Sequence, residues 1–152
     1  HMRAVFDAMD AQDAVLGLIR QLLEDAGVMV IEVANNFSPL QLRLWEEKKV
    51  KEEYWLDNFR TYYFNKEGLI RFVEQYGFAC VDFYADSLID IGLVNDLTNY
   101  YEHPEIGKKN FEAYADTEQM LMDISLEKTM ALKKILGDMG LGRTILAAFQ
   151  NR

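Results

Sequence analysis

The most constraining feature of this chain is a helix that ends in glycine and runs directly into a β-branched strand. Between Ala11 and Ala26 the apolar positions Val15, Leu18, Ile19 and Leu22 fall at i, i+3, i+4 and i+7, the stripe of an amphipathic helix. Asp10 stands where an N-cap belongs, and Gly27 stands just past the end, where a left-handed cap costs glycine least. The next residues, Val28-Met29-Val30-Ile31-Glu32-Val33, are almost continuously apolar. Such a strand is expected to be buried on both faces, as in parallel sheets covered by helices. A helix, a glycine and such a strand make the second half of a βαβ unit. Only about ten residues precede the helix, and Ala4-Val5-Phe6 is too short for the preceding strand, so that half is expected to be missing. His1-Met2 reads as a cloning remnant.

The same pattern returns further on. Asn35-Asn36-Phe37-Ser38-Pro39 is a turn at the carboxyl end of the first strand; Ser38 caps a helix and Pro39 opens it, where proline's missing N–H costs nothing. The residues from Leu40 to Tyr54 carry mixed charges at helical spacing, the pattern of a solvated face. After the aromatic-rich stretch from Tyr54 to Phe64, Asn65 caps a second amphipathic helix with Leu69, Phe72, Val73 and Tyr76, closed by Gly77. Phe78 to Tyr84 then alternates as a strand. Residues 86–106 suggest a helix or packed loop, and helical pattern returns over Gly107–Asp123 and Ser125–Asp138. Gly140-Leu141-Gly142 breaks the chain before a last strand, Arg143–Gln150. The sum is an α/β single domain over residues 1–152, with about three strands and five or six helices.

Composition excludes several functions. Sixteen Lys and Arg against 25 Asp and Glu leave a net charge of −9, which repels phosphate backbones, so nucleic acid is not an expected partner. The apolar runs are far shorter than the roughly 20 residues of a membrane-spanning helix, and no export signal is evident, so the expected location is the cytoplasm. The single cysteine, Cys80, excludes an internal disulfide and a multi-cysteine metal cage; lying mid-strand among apolar neighbours, it reads as an inert thiol. Asp82, Asp86 and Asp90 recur every four residues but lack the glycine and the twelfth-position glutamate of a calcium loop. No Gly-x-Ser-x-Gly string supports a hydrolase.

Several strings, taken in order, resemble the C-terminal half of a class I S-adenosylmethionine-dependent methyltransferase. Asp25-Ala26-Gly27-Val28-Met29-Val30-Ile31-Glu32-Val33 resembles that family's helix and strand following the acceptor-side loop, and Ala34-Asn35-Asn36-Phe37-Ser38-Pro39-Leu40-Gln41 resembles its strand-exit turn. Tyr63-Phe64-Asn65-Lys66-Glu67-Gly68-Leu69 followed by Tyr76-Gly77-Phe78 resembles the start of a late helix. Asn99-Tyr100-Tyr101, Glu105-Ile106-Gly107-Lys108, Glu118 and the close at Gly140-Leu141-Gly142-Arg143 complete the series. The resemblance implies a partial Rossmann-like methyltransferase sheet, with one parallel-type strand and a C-terminal antiparallel hairpin.

The same resemblance implies a methyl-transfer role on the acceptor side, with S-adenosylmethionine as the parent family's cofactor. The family's glycine-rich turn and the acidic residue ending its second strand are both absent, so no cofactor-binding residue is assigned and the chain alone is expected to be inactive and not to bind the donor. Gly140-Leu141-Gly142 precedes a strand, so it offers no helix N-terminal amides to a ligand. Where relatives tend to carry histidine and arginine this chain has Arg60, Phe111 and Tyr114, which counts against activation by a histidine base, and no catalytic residue is assigned. Candidate acceptor contacts are Asn35, Asn36 and Gln41 at the strand exit, Arg60 and Tyr63 near the aromatic stretch, and His103, the one histidine outside the N-terminal pair. The asparagines suit turn-making equally well, and a loop histidine beside a proline is commonly just solvated. No metal ligands are assigned, and the acceptor is not specified.

The competing reading is a non-catalytic α/β interaction module. An apolar strand with an open edge pairs with another chain, so a homodimer or a complementary cofactor-binding segment is the expected partner.

Overall fold

The computed structural model describes residues 1–46, 60–86 and 104–152. The elements are β1 (Met2–Arg3), a 3-10 turn (Phe6–Ala8), α1 (Gln12–Leu22), β2 (Val28–Ala34), α2 (Pro39–Glu46), α3 (Lys66–Glu74), β3 (Phe78–Asp86), α4 (Pro104–Asp138) and β4 (Thr144–Asn151). The chain is an α/β protein built on a four-stranded mixed sheet, in the order β1-β2-β4-β3.

Several expectations are corrected. A strand does precede α1: Met2 and Arg3 pair in parallel with Ile31 and Glu32, and the Ala4 amide continues the ladder to the Glu32 carbonyl at 2.9 Å. The ladder is only two residues long, so no local pattern announces it, but it completes a β1–α1–β2 unit. The described residues thus hold four strands rather than three, and four α-helices rather than five or six. The helices expected over Gly107–Asp123 and Ser125–Asp138 are the two arms of α4, continuous except at Ser125 (φ −166°, ψ 103°).

β4 runs antiparallel to both neighbours, so β2 and β3 point the same way. The expected double burial of β2 is also corrected. Met29, Ile31 and Val33 are buried on one face, whereas Val30, Glu32 and Ala34 on the other are half-buried. Only the first face carries the core. There Leu16 of α1 and Leu69 and Val73 of α3 pack with Ile31, Ile145 and Phe149, and Phe6 stacks on Phe64 at 5.8 Å between centroids. On the far face α4 lies against β3, so closely that a Cβ on Gly137 would stand 2.7 Å from the Ala85 nitrogen.

Capping explains the local boundaries. Asn65 accepts from the Gly68 amide at 2.8 Å, the expected start of α3. Ser38 and Gln41 form a reciprocal capping box at α2, the Gln41 amide on Ser38 Oγ (3.2 Å) and the Ser38 amide on Gln41 Oε1 (3.3 Å). α1 starts without a side-chain cap, and the left-handed residue after it is Ala26 (φ 61°), not Gly27. Glycine is still required at 27, because a Cβ there would meet the Glu24 carbonyl oxygen at 2.9 Å.

Candidate functional site

Ligands in open α/β sheets bind beyond the carboxyl ends of the parallel strands. In this chain that region, at the ends of β1 and β2, holds a cleft of about 150 Å3 lined by Asp7, Ala8, Glu32, Ala34, Arg60 and Thr144, among others. The 3-10 turn after β1 supplies Asp7, whose carboxylate is almost fully buried and lies 3.1 Å from the Arg60 Nε. The backbone brings these two together. The Asp7 carbonyl accepts from the Thr61 amide (2.9 Å) and the Tyr62 amide (3.1 Å), fixing residue 60 beside the turn. Gln12, buried at the start of α1, donates to the Phe6 carbonyl (3.0 Å) and to Thr61 Oγ1 (3.3 Å), bracing the same junction.

The opposite wall comes from β4. Thr144 pairs across the sheet with Ala34 on one side and Asp86 on the other. Residues in register point to the same face, so Ala34, Thr144 and Asp86 form one row at the carboxyl edge, on the far face. Glu32 sits on that face two residues back along β2, with Arg3 Nε 3.1 Å from its Oε1. The cleft therefore carries a cation–anion pair with a buried carboxylate and a half-buried guanidinium, a second carboxylate and a threonine at a strand edge, which suits orientation of a small polar molecule.

The other expected contacts lie nearby in different roles. Asn35 is buried, and its Nδ2 donates to the carbonyls of Gly140 and Gly142, both at 2.9 Å. Asn36 is buried too, its amide donating to the Phe64 carbonyl at 2.7 Å. Gln41 is engaged in the capping box of α2. Tyr63 is half-buried and is not among the described residues lining the cleft. His103 lies outside the described residues, as does Asp90. Of the five candidates among the described residues, Arg60 alone lines the cleft. Asp7 and Thr144 went unread because each belongs to a short or late element whose position is set by pairing distant in sequence.

On the same far face, one strand further along, the charges are engaged with each other. Lys133 is nearly buried and reaches Asp86 Oδ1 (2.5 Å) and Glu118 Oε1 (3.0 Å). Burial alone would lower its pKa, but the two carboxylates outweigh that and raise it. Asp82 accepts from Lys134, from the Tyr84 hydroxyl (2.5 Å) and from the Phe83 amide (3.0 Å). Desolvation would raise the Asp82 carboxyl, yet these hydrogen bonds hold it below its ordinary value. The Cys80 thiol is pushed up, chiefly by burial. Among the described residues no group of three or more His, Cys, Asp and Glu side chains is placed to hold a metal ion, and no helix is long and apolar enough to cross a membrane.

In comparison with known proteins, no family model matches the chain and no curated protein is significantly similar to it.

Proposed function

We propose that this chain is the acceptor-side portion of an S-adenosylmethionine-dependent methyltransferase, inactive without a cofactor-binding segment. The observation that carries the reading is the cleft at the carboxyl ends of the parallel pair β1–β2, lined by Asp7, Arg60 and Thr144. Two features of the sheet support it: a βαβ unit leads into β2, and an antiparallel final strand lies between β2 and β3. Methyl transfer from a sulfonium needs the acceptor held in line and shielded from water. The Asp7–Arg60 pair supplies fixed polar groups for that orientation, Arg60 as donor and Asp7 as acceptor. No residue is assigned as a base.

The test is nuclear magnetic resonance titration of the ¹⁵N-labelled chain with small methyl acceptors: hydroxylated sugars, phenols and carboxylates. The reading expects one class to shift the amides of Ala34, Thr144 and Arg60, and Arg60→Ala to abolish the effect. Shifts confined to other surfaces with every class would refute it.

The second reading, an interaction module, is favoured by one observation. Among the described residues β1 pairs only Ile31 and Glu32 of β2, which leaves most of that edge and the half-open far face to a partner strand or a second copy. Light scattering across a concentration series distinguishes a dimer from a monomer.

A further inference from the structure

The sharp bend in α4 brings together residues that a straight helix would keep apart. Glu118 and Lys133 are 15 positions apart, which in an unbroken helix is about 22 Å at the standard rise per residue. Their charged groups nevertheless meet at 3.0 Å. The turn is made at Ser125, whose backbone is extended and whose hydroxyl accepts from the Lys128 amide (3.3 Å), starting the second arm. Thr129 Oγ1 bridges the bend by donating to the carbonyls of Leu121 (2.8 Å) and Ser125 (2.9 Å).

The two arms are held differently. Residues 126–138 lie on the sheet, with Gly137 against the backbone of Tyr84 and Ala85. Among the described side chains from 105 to 124, all but Tyr114, Glu118, Leu121 and Met122 are exposed. Phe111, Met120 and Ile124 are 61%, 53% and 73% exposed. Glu118 is the point where this arm meets the body's buried charge, and Lys133 joins it there to Asp86. Asp86 stands in register with Thr144, which lines the cleft one strand away, a spacing of about 5 Å.

From this geometry we propose that residues 104–124 are a flap that pivots at Ser125 over the far-face cleft, latched to the sheet by the Asp86–Lys133–Glu118 charge triad. Its assignment as a gate rests on the cleft being the acceptor site; the pivot and latch do not. Releasing Glu118 leaves Lys133 bound to Asp86 and the second arm seated, so the change falls on the first arm, which then stays tied across the bend by Thr129.

Spin labels at Ala115→Cys on the flap and Val28→Cys on the sheet, in a Cys80→Ser background, test this by pulsed dipolar spectroscopy on the full chain. The latched protein is expected to give one narrow distance distribution, and Glu118→Gln and Lys133→Met a second, shifted population. Amide exchange of β4 must remain as in the parent, which separates flap release from unfolding; if Lys133→Met does not fold, Glu118→Gln alone decides. Unchanged distances in Glu118→Gln with an intact β4 would overturn the proposal. A cleft that binds no acceptor leaves this readout untouched, so the two readings fail separately.

Discussion

The side-chain amide of Asn35 donates to the carbonyl of Gly142 at 2.9 Å, tying the exit of β2 to the turn that begins β4, 107 positions later in the chain. The same nitrogen holds the Gly140 carbonyl, and the Asn35 backbone amide donates to Arg143. This one residue joins the sheet's second and last strands at the edge where the cleft opens.

Replacing Asn35 with alanine removes both side-chain bonds and strands two inward-facing carbonyls. An unsatisfied buried polar group costs about 1–3 kcal/mol, so Asn35→Ala is expected to lose about 2–4 kcal/mol in urea unfolding. Asn35→Asp exchanges the donor for a carboxylate facing two carbonyl oxygens and should lose more.

The Asp7–Arg60 pair should show energetic coupling. Breaking a buried pair by removing one partner is strongly destabilising, but Arg60 keeps 23% of its side-chain exposure, which moderates the cost. Asp7→Asn and Arg60→Met should each lose about 1–3 kcal/mol, and the double variant less than their sum. Additive losses in a double-mutant cycle would show that the pair contributes nothing as a pair.

Gly137→Ala should push α4 off β3. The added methyl would stand 2.7–2.9 Å from backbone atoms of Tyr84 and Ala85, which cannot swing aside as a side chain can. Overpacking of this kind costs about 1–3 kcal/mol, read as a lower midpoint in thermal unfolding. Gly17 provides the control, since nothing lies within 4 Å of a Cβ built there; Gly17→Ala should stabilise α1 by up to about 1 kcal/mol.

Acid and alkali act on different charges of the far face. Burial opposes ionisation of Asp82, but hydrogen bonds from Lys134, Tyr84 and Phe83 prevail and depress its folded pKa. A depressed carboxyl contributes stability above the unfolded value of about 4 and loses it as pH falls through the folded value. Asp82→Asn should therefore flatten the stability profile below about pH 4. Lys133 has the opposite sign: against burial, Asp86 and Glu118 raise its folded pKa. Its contribution is complete below the unfolded value of about 10.4 and disappears as pH climbs through the folded one. Lys133→Met should remove the alkaline part of the profile, measured by urea unfolding from pH 9 to 11.

Much of the architecture was legible because it rests on local chemistry. The stripe of α1, the Asn65 cap of α3, the Ser38-Pro39 start of α2 and the break between Asp123 and Ser125 each depend on neighbours within a few residues. What escaped depends on distance. β1 exists because Met2 and Arg3 find Ile31 and Glu32, and half of β2 is open because nothing among the described residues covers Val30 and Glu32 fully. At the cleft, Arg60 was visible as a polar candidate near the aromatic stretch. Asp7 was not, since its importance comes from a turn that folds back on residues 60–62. Gln41 drew attention as a polar residue near a strand exit, and the capping box accounts for its burial.

The central claim is that this chain holds an acceptor cleft without a site for the methyl donor. Calorimetric titration of S-adenosylmethionine into the purified chain tests it most directly: the account predicts no measurable heat of binding, and micromolar affinity would contradict it.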